Sequence, residues 1–143
     1  MPSIVFSHRY ILKTQEYKFM IPVRFYNPQQ DSRSDVWLCL LDTGAHTSVL
    51  PPDLVRSAGH DLLNGKSVRS LEAAWGDSRQ TYHHTFIPEI MGSDFSTVLY
   101  SLPEMQFDCT DGEHHDPILG ADNFLKYFRC EFDYPNETVT LHW

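Results

Sequence analysis

One carboxylate in this chain sits where a reactive acid would be displayed. Asp42 opens the nonapeptide Asp42-Thr43-Gly44-Ala45-His46-Thr47-Ser48-Val49-Leu50, directly after the apolar run Leu38-Cys39-Leu40-Leu41. An apolar strand that ends in Asp-Thr-Gly lifts a carboxylate out of a core and presents it on a tight turn. Thr43 adds a hydroxyl that can tie the turn down, and Gly44 permits backbone angles and a close approach that a side chain would block. The same triplet also marks ordinary turns, where Asp and Gly are favoured for local reasons. The histidine pairs His83-His84 and His114-His115, the second flanked by Glu113 and Asp116, raise a metal site. Adjacent residues on a strand point to opposite faces, so neither pair makes a bidentate ligand set, and surface-loop histidines are the preferred reading. No Gly-x-Ser-x-Gly elbow is present to support a Ser/His/Asp triad.

The elements that must position Asp42 read mostly as strands. Residues 17–26 alternate as a strand, residues 27–34 form a polar loop, and residues 35–41 are the return strand of a hairpin that delivers Asp42. Residues 48–50 start another strand, and Pro51-Pro52-Asp53-Leu54-Val55 suggests a helical turn entered through proline. Residues 68–74 and 81–87 look like the two arms of a hairpin with Trp75-Gly76-Asp77-Ser78 at its tip. Residues 95–102 read as one more strand. The polar, acidic stretch 103–116 shows no clear period and reads as a loop. No internal repeat occurs, and Asp-Thr/Ser-Gly occurs once.

Far downstream lies Pro117-Ile118-Leu119-Gly120-Ala121-Asp122-Asn123, followed by Phe124, Leu125 and Phe128 spaced for one helical face. A terminal hairpin then turns at Pro135-Asn136-Glu137. An apolar-apolar-Asp-Thr-Gly-Ala loop, then Ile-Leu-Gly, a short helix and a closing hairpin resembles the retropepsins. These are the single-lobe aspartic proteases of retroviruses, retrotransposons and some cellular relatives. The resemblance spans residues 36–141 and is weakest in the middle third. It implies an all-β closed barrel with one short C-terminal helix, forming a single domain over residues 1–143. Within it, residues 1–16 are an N-terminal arm, 64–90 the flap hairpin region and 103–116 an acidic loop.

The resemblance also implies a reaction. An aspartic protease needs two carboxylates facing each other across one water, sharing one proton because two like charges so close cannot both ionise. One chain offers one such Asp, so the two-fold axis of a homodimer must bring together the Asp42 of each subunit. Asp42, Thr43 and Gly44 carry the catalysis, with the Thr43 hydroxyl locking the two loops across the axis. Ala45, His46, Ile118 and the flap residues Trp75 and Gly76 contact a polypeptide substrate, although Trp75 reads equally well as a packed anchor. Gly120 sits behind the catalytic loop. No metal or organic cofactor is needed. Viral members carry an acidic residue after Asp-Thr-Gly-Ala and an Arg after the second motif's Gly, and the two form an ion pair near the dimer interface. Here those positions hold His46 and Ala121, so both partners are replaced together. The competing expectation is a retropepsin-fold dimerisation or peptide-binding module with little or no proteolysis. A zinc hydrolase built on the histidine pairs is a third.

Composition bounds the reading. At 143 residues the chain is one domain's worth, with 41% apolar and 21% charged residues. That is globular composition, and nine Pro with 13% aromatics favour strands. A formal charge of −8 argues against nucleic acid or an anionic membrane as a main partner. No stretch approaches the roughly 20 apolar residues of a membrane span, and the start lacks the pattern of a secretory signal. Three scattered cysteines, at 39, 109 and 130, make no disulfide framework. A reducing compartment, hence a cytoplasmic location, is expected.

Overall fold

The computed structural model describes residues 2–72, 77–112 and 114–143. The chain begins with β1 (Ser3–Ser7) and a small hairpin of β2 (Arg9–Ile11) and β3 (Glu16–Lys18). β4 (Met20–Asn27) carries Ile21, Val23 and Phe25 at alternate positions, all fully buried. Met20 and Pro22 are buried too, so the strand is covered on both faces over its first half and alternates only from Arg24 onward. A polar turn with β5 (Ser32–Arg33) leads to β6 (Trp37–Leu41), which pairs antiparallel with β4 and ends one residue before Asp42. After the site loop come β7 (Val49–Leu50) and α1 (Pro52–Ser57), entered through Pro51 as expected, where the missing amide of Pro52 costs the helix nothing.

A 3-10 turn at Leu62–Asn64 precedes the long hairpin of β8 (Lys66–Glu72) and β9 (Asp77–Met91). The expected hairpin is therefore present and longer than its sequence pattern, while its tip, with Trp75 and Gly76, lies outside the described residues. β10 (Val98–Ser101), β11 (Met105–Thr110) and β12 (Ile118–Leu119) follow. The chain closes with β13 (Arg129–Asp133) and β14 (Thr138–His142), the expected terminal hairpin.

β9 pairs with β11, and the path continues through β7, β12, β6 and β4. Pairing of β4 with β9 then closes the ring into a six-stranded barrel. The β7–β11 and β6–β12 pairs are parallel, and the remaining pairs antiparallel. Phe25, Phe86 and Phe107 meet edge-to-face inside it at centroid distances of 5.5–5.9 Å. Burial of each such ring is worth about 1.5–3 kcal/mol against leaving it exposed. Outside the barrel, β1, β14 and β13 form a separate sheet within the same chain, so most of the expected N-terminal arm is strand.

Three expectations are corrected. The stretch 103–116 is not all loop, because Met105, Phe107 and Cys109 alternate inward and make β11 a full barrel strand. The C-terminal helix is a single 3-10 turn, Leu125–Tyr127, and the α-helix among the described residues is α1. His83 and His84 lie on β9 and not on a surface loop: His84 is buried, donating from Nε2 to the Leu62 carbonyl at 2.7 Å.

Candidate active site

Asp42 leaves the end of β6 into a loop braced from behind by β12. Its amide donates to the Leu119 carbonyl at 3.0 Å, and the Leu40 amide donates to the Pro117 carbonyl at 2.8 Å. The Gly44 amide donates to Asp42 Oδ1 at 2.9 Å, and the Ala45 amide to the Asp42 carbonyl at 3.2 Å. The turn is thus closed by the acid's own side chain and backbone. Gly44 does not adopt a left-handed conformation, so backbone freedom is not its reason. An added Cβ would stand 3.3 Å from Asp42 Oδ1, a tight contact that the carboxylate would have to shift by a few tenths of an ångström to accept. Asp42 is half-buried, while Thr43 and Gly44 are exposed at the tip.

The second motif locks this loop through buried polar contacts. Ser48 Oγ accepts from the Gly120 amide at 2.8 Å and donates to Asn123 Oδ1 at 2.7 Å. Asn123 Oδ1 also receives the Ser48 and Phe124 amides, and its Nδ2 donates to the Gln106 carbonyl. The Ala121 and Asp122 amides donate to the carbonyls of Ala45 and His46 at 2.8 and 2.7 Å. A Cβ on Gly120 would overlap the Thr47 carbonyl, so this glycine lets the two loops touch. Sequence reasoning placed Gly120 correctly and missed Ser48 as its partner.

His46 and Ala121 hold the positions of the acidic residue and arginine of the viral pattern. The structure sets His46 Nδ1 3.7 Å from Asp122 Oδ2, one residue beyond Ala121. The two loops thus still face each other through polar side chains, now His46 and Asp122. Both side chains are largely exposed, where such pairs contribute little. Ile118 pairs with Leu40 and Val49 between the two motifs.

Asp42 opens onto a cavity of about 490 Å³ whose walls include Tyr17, Phe19, Leu40 and Tyr134, with Lys18 and Glu137 also lining it. The lining mixes apolar and aromatic side chains with the polar and charged groups of His8, Lys18, Asp42 and Glu137. A larger groove of about 710 Å³ runs between β1 and residues 92–99, but Asp42 does not line it. No group of three metal-ligating side chains occurs among the described residues. The three cysteines are unpaired as disulfides, and burial pushes the thiols of Cys39 and Cys109 up, away from the reactive thiolate. No helix among the described residues is long and apolar enough to cross a membrane.

No protein-family model and no curated protein matches the chain. Solved structures do. The chain is similar to a retropepsin-like aspartic protease from Rickettsia conorii, with a TM-score of 0.66 and 15% identity over 98% of this chain and 90% of that one. It is also similar to the retroviral protease-like domain of Ddi1 from Leishmania major, with a TM-score of 0.56 and 15% identity over 87% of each chain. The fold is retropepsin-like.

Proposed function

We propose that the chain is an aspartic endopeptidase that works as a symmetric homodimer. The observation that carries this reading is Asp42 itself: a half-buried carboxylate on a braced loop, at the edge of a cavity, with exposed Thr43 and Gly44 beside it. In the dimer the two Asp42 carboxylates hold one water between them. One carboxylate is ionised and takes a proton as the water attacks the peptide carbonyl; the other is protonated and donates to the carbonyl oxygen. Thr43 of each subunit braces the opposite loop, and Ala45, His46 and Ile118 border the bound peptide. Substrate lies extended, pairing its main chain with strand edges and placing side chains in alternating pockets. Trp75 and Gly76 close over it from the hairpin. No cofactor takes part, and a reducing compartment suits the free thiols.

Peptide-library cleavage at several pH values tests this, with Asp42→Asn and a pepstatin-type inhibitor as parallel arms. The expected result is cleavage that disappears in Asp42→Asn without unfolding and weakens with the inhibitor. A folded dimer with no cleavage at any pH would instead identify a dimerisation or peptide-binding module.

A further inference from the structure

We propose that Asp108 is a positioning residue that ties the root of the β8–β9 hairpin to the Asp42 loop, through His83 and Thr47. The inference rests on the protease reading and concerns how the hairpin and the loop are held relative to each other. Strand β11 runs between β9 and β7, so a residue on it can reach both. Asp108 stands opposite His83 on β9 and opposite Val49 on β7. Phe107 and Cys109 on either side fill the barrel, which turns Asp108 outward.

Its amide and both carboxylate oxygens reach residues on those two sides. The Asp108 amide donates to the Ser48 carbonyl at 3.1 Å. Its Oδ2 accepts from the Thr47 hydroxyl at 2.9 Å, and its Oδ1 lies 2.9 Å from His83 Nε2. The carboxylate is 12% exposed and the imidazole 20%. His83 in turn stands opposite Lys66 on β8, so the tie reaches both arms of the hairpin. On the other side, Thr47 lies in the loop that starts at Asp42, with its carbonyl against Gly120.

A largely buried carboxylate is a poor choice if stability alone were at issue, since apolar residues of similar volume often serve as well or better. What it supplies is a rigid two-sided acceptor that fixes hairpin and loop in one geometry. The bonds that shape the Asp42 turn do not involve Asp108. Its loss therefore loosens the hairpin root against the Asp42 loop, which weakens substrate binding, and leaves the chemical step in place. An asparagine can donate to one neighbour and accept from the other, because a hydroxyl and a neutral imidazole can each do either.

The test compares wild type, Asp108→Ala, Asp108→Asn and Thr47→Val in peptide kinetics and in amide hydrogen exchange at residues 43–48 and 80–87. Asp108→Ala should raise KM about tenfold with kcat within about twofold. Exchange should speed up at both segments together, and Asp108→Asn should restore both readouts. Thr47→Val cuts only the loop side and should reproduce the KM change even if the alanine variant folds poorly. Equal losses in kcat and KM, unchanged KM with lower thermal stability, or faster exchange spread evenly over the barrel would overturn the assignment. If wild type cleaves nothing, the protease reading fails by itself. The paired exchange response, present or absent, then decides whether the tie exists.

Discussion

Gly120 and Ser48 decide whether Asp42 is held or merely displayed. A methyl group at Gly120 meets the Thr47 carbonyl, which is backbone and cannot rotate away. Gly120→Ala should therefore cost about 1–3 kcal/mol, as overpacking does, and should reduce cleavage by more than the lost stability explains. Denaturant unfolding beside peptide kinetics separates the two effects. Ser48→Ala strands the buried Gly120 amide and removes a donor to Asn123. A stability loss of about 1–3 kcal/mol is expected from the unmade bond. The glycine and the acid were legible in the sequence because each sits in a short motif with a fixed geometric demand. Ser48 was not. A contact across 72 residues leaves no period in the chain, and a serine beside a strand looks like any other. The cross-loop contact was missed for a related reason: its partner on the second loop is Asp122, one residue beyond the motif position, which holds alanine.

At the scale of elements, β9 organises the molecule. One strand of 15 residues pairs with β8, β10, β11 and β4, and its contact with β4 closes the barrel. At that seam Arg24 and Glu89 are register partners, and Glu89 Oε1 accepts from Arg24 Nε at 2.9 Å and Arg33 Nε at 3.2 Å. Glu89 is 7% exposed, so its removal leaves two guanidinium groups without an anion. Glu89→Ala should lower stability by about 1–3 kcal/mol, below the value for a fully buried pair because the arginines stay partly solvated. Urea unfolding measures it. His60 adds a pH term where the segment after α1 meets β9, donating from Nε2 to the Thr85 carbonyl at 3.1 Å, with its ring tilted against that of His84 at 4.5 Å. Burial, then the neighbouring His84, keeps its pKa below the ordinary histidine value, while the Thr85 carbonyl opposes this. The unfolded chain then binds the proton first as pH falls through about 6.5, so stability should decline on that side. Urea midpoints at pH 7.5 and 5.5 should differ less in His60→Gln than in wild type. Strand alternation made β4 and β6 legible. It was present in β11 too, at Met105, Phe107 and Cys109, but the acidic residues around it hid the period. The C-terminal pattern of Phe124, Leu125 and Phe128 fitted a helical face, yet the segment buries Phe124 and Leu125 with a single 3-10 turn.

At the scale of the whole molecule, the barrel presents Asp42 at the edge of a cavity, with the tip residues Thr43 and Gly44 exposed. Asp-Thr-Gly occurs once in the sequence, so no internal repeat supplies a second copy of the motif. A two-carboxylate mechanism then demands that every site draw one Asp42 from each of two chains. This requirement has a quantitative signature that a self-contained enzyme lacks. When wild type is mixed and re-equilibrated with a threefold excess of Asp42→Asn, only about one wild-type chain in four finds a wild-type partner, so cleavage should fall to about a quarter. A monomeric enzyme would keep its activity under the same mixing. Dilution gives the complementary expectation: specific activity should drop as chain concentration falls below the dimer dissociation constant, and a bound transition-state mimic should oppose the drop by stabilising the dimer. Activity that ignores both the mutant excess and dilution would place the reaction within one chain, and a single carboxylate would then have to do the work assigned here to two.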